Sequence, residues 1–138
     1  MTTACLLALL LCSQPTSARA LTVAHFGVAV ADTYSTQRNY DLCRVFAGCN
    51  PGRMEANPVA KPFQSVGRPV AYAATYWYSV GTSYLAYRMR TSRNWTRKIW
   101  WIPQVVGIGA HAWAVNRNVG LYYRAIAACG LGCRNALR

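Results

Sequence analysis

The sequence predicts an all-α fold, a small helical membrane bundle of about three hydrophobic helices after an N-terminal signal peptide. Three observations predict it. Residues 69–87, PVAYAATYWYSVGTSYLAY, carry no charge, and residues 99–116, IWWIPQVVGIGAHAWAVN, carry none either. Between them RMRTSRNWTRK gathers Arg88, Arg90, Arg93, Arg97 and Lys98. Each uncharged run approaches the roughly 20 residues that cross a bilayer core of about 30 Å. A basic loop between two aromatic-rimmed apolar runs has the pattern of a transmembrane hairpin.

Composition narrows the class. Of 138 residues 54% are apolar, with five Trp and nine Tyr, which excludes a disordered basic tail. A formal charge of +12 would suit nucleic acid if Lys and Arg were gathered on the polar face of a soluble domain. Here they flank the apolar runs, so nucleic acid is not an expected partner and a soluble nucleic-acid binder is the distant alternative. A soluble bundle with buried helices also fits poorly. In the middle run Tyr72, Tyr76, Trp77, Tyr78, Tyr84 and Tyr87 fall on all sides of the helix, leaving no polar face for water.

Taken in order, the elements begin with MTTACLLALLLCSQPTSARA. It has a short apolar core from Ala4 to Cys12 and the small-residue pattern Ala18-Arg19-Ala20. Residues 1–20 therefore read as a secretory signal peptide, with an uncleaved anchor as the alternative. The first bundle helix is expected near 21–39, the second near 69–88 and the third near 98–116; residues 119–138 are expected to form a basic C-terminal tail. In the first helix His25, Asp32 and Asn39 recur at sevens, with Ser35 and Thr36 between them. Gln104, His111 and Asn118 repeat that spacing in the third, with Gly107 on the same face, and Thr75, Ser79 and Thr82 or Ser83 form a stripe in the second. Such stripes turn inward in lipid, where each interhelical polar contact contributes on the order of 1 kcal/mol.

The segment joining the first two helices holds GRMEANPVAKPF. Asn57 suits an N-cap and Pro58 a first helical position, so a short helix is expected from Val59. Glu55 beside that start is favoured by the helix dipole, or pairs with Arg53 or Lys61. At the far end of the bundle Trp95, Trp100 and Trp101, with Tyr84 and Tyr87, form an interfacial belt. Together with Arg88, Arg90, Arg93, Arg97 and Lys98 they are expected to contact anionic lipid headgroups. A two-pass hairpin places residues 38–68 and 117–138 on one side and this loop on the other.

Chemistry is sparsely signalled. Asp32 is an ionisable residue at expected membrane depth, and such residues are candidate sites. With Glu55 and the two histidines of the chain, His25 and His111, it makes a candidate metal or proton site. None of the standard metal spacings is present, no nucleophile turn is recognisable, and neither a cofactor nor enzymatic activity is expected. Once residues 1–20 are removed, Cys43, Cys49, Cys129 and Cys133 are disulfide candidates, with three pairings open.

Asp32-Thr33-Tyr34-Ser35-Thr36, followed some twenty residues later by Glu55-Ala56-Asn57-Pro58, carries a resemblance. Over roughly residues 21–118 the chain resembles a group of uncharacterised small bacterial multi-pass membrane proteins. In that group a helix with an Asp-x3-Thr element is followed by a loop ending in Glu-x-Asn-Pro and then by two further helices. The resemblance implies architecture and a bacterial inner-membrane location; it brings no activity with it. The expected partners are the lipid bilayer and a second copy of the chain or another membrane protein.

Overall fold

The computed structural model describes residue 12 and residues 14–45 and 60–129. Helix α1 spans Thr16–Val45. Its sequence has no internal Pro, and its one Gly, Gly27, has open space around its Cα. The helix therefore starts earlier and ends later than the run 21–39 expected from hydrophobicity alone. Most of the expected signal peptide falls outside the described residues, and from Thr16 the chain is helical and continuous through Ala20 into Leu21.

Three further helices follow: α2 at Lys61–Val66, α3 at Arg68–Thr91 and α4 at Ile102–Cys129. A 3-10 turn at Trp95–Lys98 precedes α4. No strand occurs among the described residues. The short helix expected from Val59 begins at Lys61 instead, behind Ala60 and without a side-chain cap. Pro62 supplies the start, because its fixed φ suits a first turn where the missing N–H is not needed. Asn57 and Pro58 lie outside the described residues. Gly67, at φ 141°, ends α2 and begins α3. Only a residue without Cβ takes that conformation cheaply, and Pro69 follows in the first turn of α3.

α4 starts at Ile102 rather than 98, because Trp95–Lys98 closes in the tighter 3-10 form. It passes Asn118 without a break, so residues 119–129 continue the helix into what was expected to be a tail.

The side-chain pairs fix the topology. Thr22 meets Gln104, Asp32 meets His111 and Asn39 meets Asn118, so α1 and α4 run parallel. Thr33 meets Thr75 and Asp41 meets Arg68, so α3 runs antiparallel to α1. Among the described residues the α1–α4 contact is the most extensive. The turn after α3 and the start of α1 thus share one end of the bundle. The other end holds Asp41 with Arg68 and Arg44, and Arg38, whose guanidinium lies 5.7 Å from the Tyr122 ring centroid and donates to its hydroxyl at 3.2 Å.

Burial in this bundle is inverted relative to a water-soluble one. Thr22, His25, Thr33, Thr36, Gln37, Asn39, Thr75, Ser79, Ser83, Gln104 and Asn118 are buried, whereas Val23, Trp77, Leu85, Val106 and Trp113 are exposed. Buried apolar residues are few and mostly small, with Ala29, Ala71 and Ala86 allowing close helix approach.

Hydropathy does not support the expectation of three membrane-spanning runs. Among the described residues no helix is long and apolar enough to cross a membrane. The expected runs lack charge, but Ser, Thr, Gln, Asn, His and Tyr within them lower the mean hydropathy.

Candidate functional site

The heptad spacing of the polar residues becomes contact because α1 and α4 are parallel and in matching register. His25, Asp32 and Asn39 occupy one face of α1, and Gln104, His111 and Asn118 the facing side of α4. At the start of this seam, Thr22 Oγ1 accepts from Gln104 Nε2 at 2.7 Å and donates to Gln14 Oε1 at 3.3 Å.

At mid-seam the Asp32 carboxylate is held on both oxygens. Oδ2 lies 2.8 Å from His111 Nδ1, and Oδ1 accepts from Asn118 Nδ2 at 3.1 Å. The Asn118 amide also reaches Thr36 Oγ1 at 2.8 Å and Ser35 Oγ at 3.2 Å, while its backbone carbonyl accepts from Asn39 Nδ2 at 3.1 Å. A carboxylate accepts only, so His111 Nδ1 donates to Asp32 Oδ2. The two side chains of this pair are largely buried, at 15% exposure for Asp32 and 17% for His111.

His25 lies one level nearer the start of α1 and is fully buried. Neither of its ring nitrogens has a hydrogen-bond partner among the described residues. It fits because α4 presents Gly107 there: a Cβ at that position would stand 2.4 Å from His25 Nε2 and 2.7 Å from Cδ2. Its ring centroid is 5.8 Å from that of His111. From α3, Tyr78 packs on both imidazoles, at 5.8 Å from His25 and 5.7 Å from His111.

A second polar cluster ties α2 and α3 to α1. Gln37 Nε2 donates to Gln64 Oε1 at 3.0 Å and Gln64 Nε2 reaches Thr33 Oγ1 at 3.5 Å. Thr33 then bonds Thr75, whose hydroxyl donates to the Ala71 carbonyl at 2.9 Å. If Thr75 spends its hydrogen on Ala71, Thr33 is the donor between the two hydroxyls. Thr22, Thr33, Gln37 and Gln64 were not singled out from the sequence. The spacing of four between Thr33 and Gln37 places them on one helix face and is the signal that was present.

Of the four residues expected to form a metal or proton site, the structure brings His25, Asp32 and His111 together; Glu55 lies outside the described residues. No three His, Cys, Asp or Glu side chains among the described residues converge so as to hold a metal ion. Cys43 is buried and disulfide-bonded. Cys49 and Cys133 lie outside the described residues, as does the side chain of Cys129.

The basic segment is open to its surroundings. Arg88, Arg93, Trp95, Arg97, Lys98 and Trp101 are exposed, and Arg90 and Trp100 partly so. Ser92 Oγ and Thr96 Oγ1 pair at 2.7 Å across the bend, and Arg90, Arg93 and Arg97 line a shallow cavity beside them.

Fold and site thus define an all-helical protein with a hydrogen-bonded polar interior. No protein-family model, curated protein or solved structure matches the chain.

Proposed function

We propose that the protein is a small integral membrane protein of a bacterial cell membrane, multi-pass, with a non-enzymatic structural or interaction role. The inversion of burial carries this reading. In water a bundle gains stability by covering apolar side chains; here Val106 is 64% exposed and Trp77 56%, while Gln104 and Asn118 are covered. Lipid removes the hydrophobic drive between helices, and polar pairs and small residues take its place. The length agrees. Residues 69–87 carry no charge, and at about 1.5 Å per residue they span roughly 28 Å, close to the hydrocarbon thickness. Mean hydropathy falls short because it averages a polar inner stripe with an apolar outer face, and only the outer face meets lipid.

The exposed Arg88, Arg93, Arg97 and Lys98 and the partly exposed Arg90, with Trp95, Trp100 and Trp101, sit at headgroup depth in this reading and contact anionic lipid. Alkaline carbonate extraction of membranes from expressing cells tests it. The protein is expected to stay in the pellet. Free release would overturn the reading and favour a soluble protein, whose basic segment would then suit single-stranded nucleic acid.

A further inference from the structure

The geometry points to His25, Asp32 and His111 as a binding site for a single proton shared between two helices. We propose that His111 takes it up and exchanges it with His25, with Asp32 as the fixed counter-charge. The inference rests on the contacts themselves and holds whether or not lipid surrounds the bundle.

Asp32 is poorly placed to take the proton itself, because both its oxygens already accept hydrogen bonds, from His111 and Asn118. Its partner is better placed. With Nδ1–H directed at the carboxylate, His111 offers the Nε2 lone pair, and protonation there gives an imidazolium facing a carboxylate at 2.8 Å. Asn118 holds the carboxylate in that orientation from α4, and Thr36 and Ser35 hold Asn118 from α1.

His25 gives the proton a second place to go. A buried imidazole with both nitrogens unpaired loses the hydrogen bonds it would have in water. Gly107, which has no Cβ, leaves the room on α4 that the ring needs beside its Nε2. The ring centroids are 5.8 Å apart and no His111 nitrogen lies within hydrogen-bond distance of His25, so the transfer runs through one bridging water. In the transfer the His111 Nε2–H bond breaks and an N–H bond forms on His25; His111 returns to the neutral Nδ1–H form and Asp32 stays a carboxylate. Among the described residues, the titratable groups facing the pair are Asp32 and His25 from α1, His111 from α4 and Tyr78 from α3.

The chain contains two histidines, so 15N-histidine labelling of the full-length protein yields four ring-nitrogen resonances, all from this site. The NMR experiment follows them from about pH 8 to about pH 5, the range in which imidazole exchanges its proton. At the upper end His111 is expected as the Nδ1–H tautomer. On acidification the four resonances should move in one step, with uptake of one proton per chain. An Nε2–H tautomer at the upper end, or His25 resonances that stay fixed while His111 gains its proton, overturns the proposal. Asp32→Asn should weaken proton binding at least about tenfold and split the step in two. Should that variant fail to fold, the wild-type spectra alone decide.

Discussion

Gly107 on α4 stands directly against the buried imidazole of His25 on α1, at a point where any Cβ would come within 2.4 Å of Nε2. His25 is enclosed and cannot swing away without opening the α1–α4 seam. Gly107→Ala is therefore expected to destabilise the bundle by about 1–3 kcal/mol, the usual cost of overpacking. In a His25→Ala background the same change should cost much less, and thermal unfolding of the four proteins in this cycle measures the difference.

Asn118 joins the Asp32 carboxylate to Thr36 and Ser35. Asn118→Leu keeps a comparable volume and removes every one of those donors. A loss of about 2–3 kcal/mol is expected, because buried acceptors are left unsatisfied. A change below about 0.5 kcal/mol in chemical denaturation would show that the seam does not depend on this amide.

Thr33 and Thr75 test how much one interhelical hydroxyl pair contributes. In a double-mutant cycle with Thr33→Val and Thr75→Val, a coupling of roughly 0.6–1 kcal/mol is expected if the bundle sits in lipid as proposed. Gln64, which also reaches Thr33, should show part of that coupling when replaced by Leu.

Val106 lies on the outward face of α4 in its uncharged stretch. In a bilayer, Val106→Arg places a charge in the apolar belt and costs about 2.5–3.5 kcal/mol at the helix centre. On a water-facing surface the same change stays within about 0.5 kcal/mol. The fraction of the variant recovered in membranes, relative to wild type, should fall sharply; equal recovery would count against the lipid-facing assignment.

The ion pairs of Asp41 with Arg68 and Arg44 are a contrast, since both arginines are exposed. Asp41→Asn is expected to cost less than about 1 kcal/mol, and the loss should shrink as salt is raised. A larger effect in thermal unfolding would assign Asp41 a structural role that its exposure does not predict.

The all-helical class was legible because uncharged runs and heptad polar spacing are local patterns, and both survive without knowledge of packing. Spacing also marked His25, Asp32 and His111, which periodicity alone places on inner faces. It could not reveal that α1 and α4 are parallel neighbours, since that alignment depends on contacts 79 residues apart in sequence. Helix ends were read less well. Pro62 and the 3-10 turn at Trp95–Lys98 moved two starts by a few residues, and good helix formers beyond Asn118 carried α4 past the last strongly apolar position. Gln64 escaped notice because its role arises from α2 folding back on α1, a tertiary event with no periodic trace.

The seam between α1 and α4 also acts as an alignment key. Every rung is chemically different: a threonine with a glutamine, an imidazole with a glycine, a carboxylate with an imidazole, an asparagine with an asparagine. Sliding one helix by a heptad would set Asp32 opposite Gln104 and His111 opposite Asn39, stranding the carboxylate from its imidazole. An all-leucine seam would accept such a slip at little cost, whereas unlike polar rungs permit a single pairing and spend stability to enforce it.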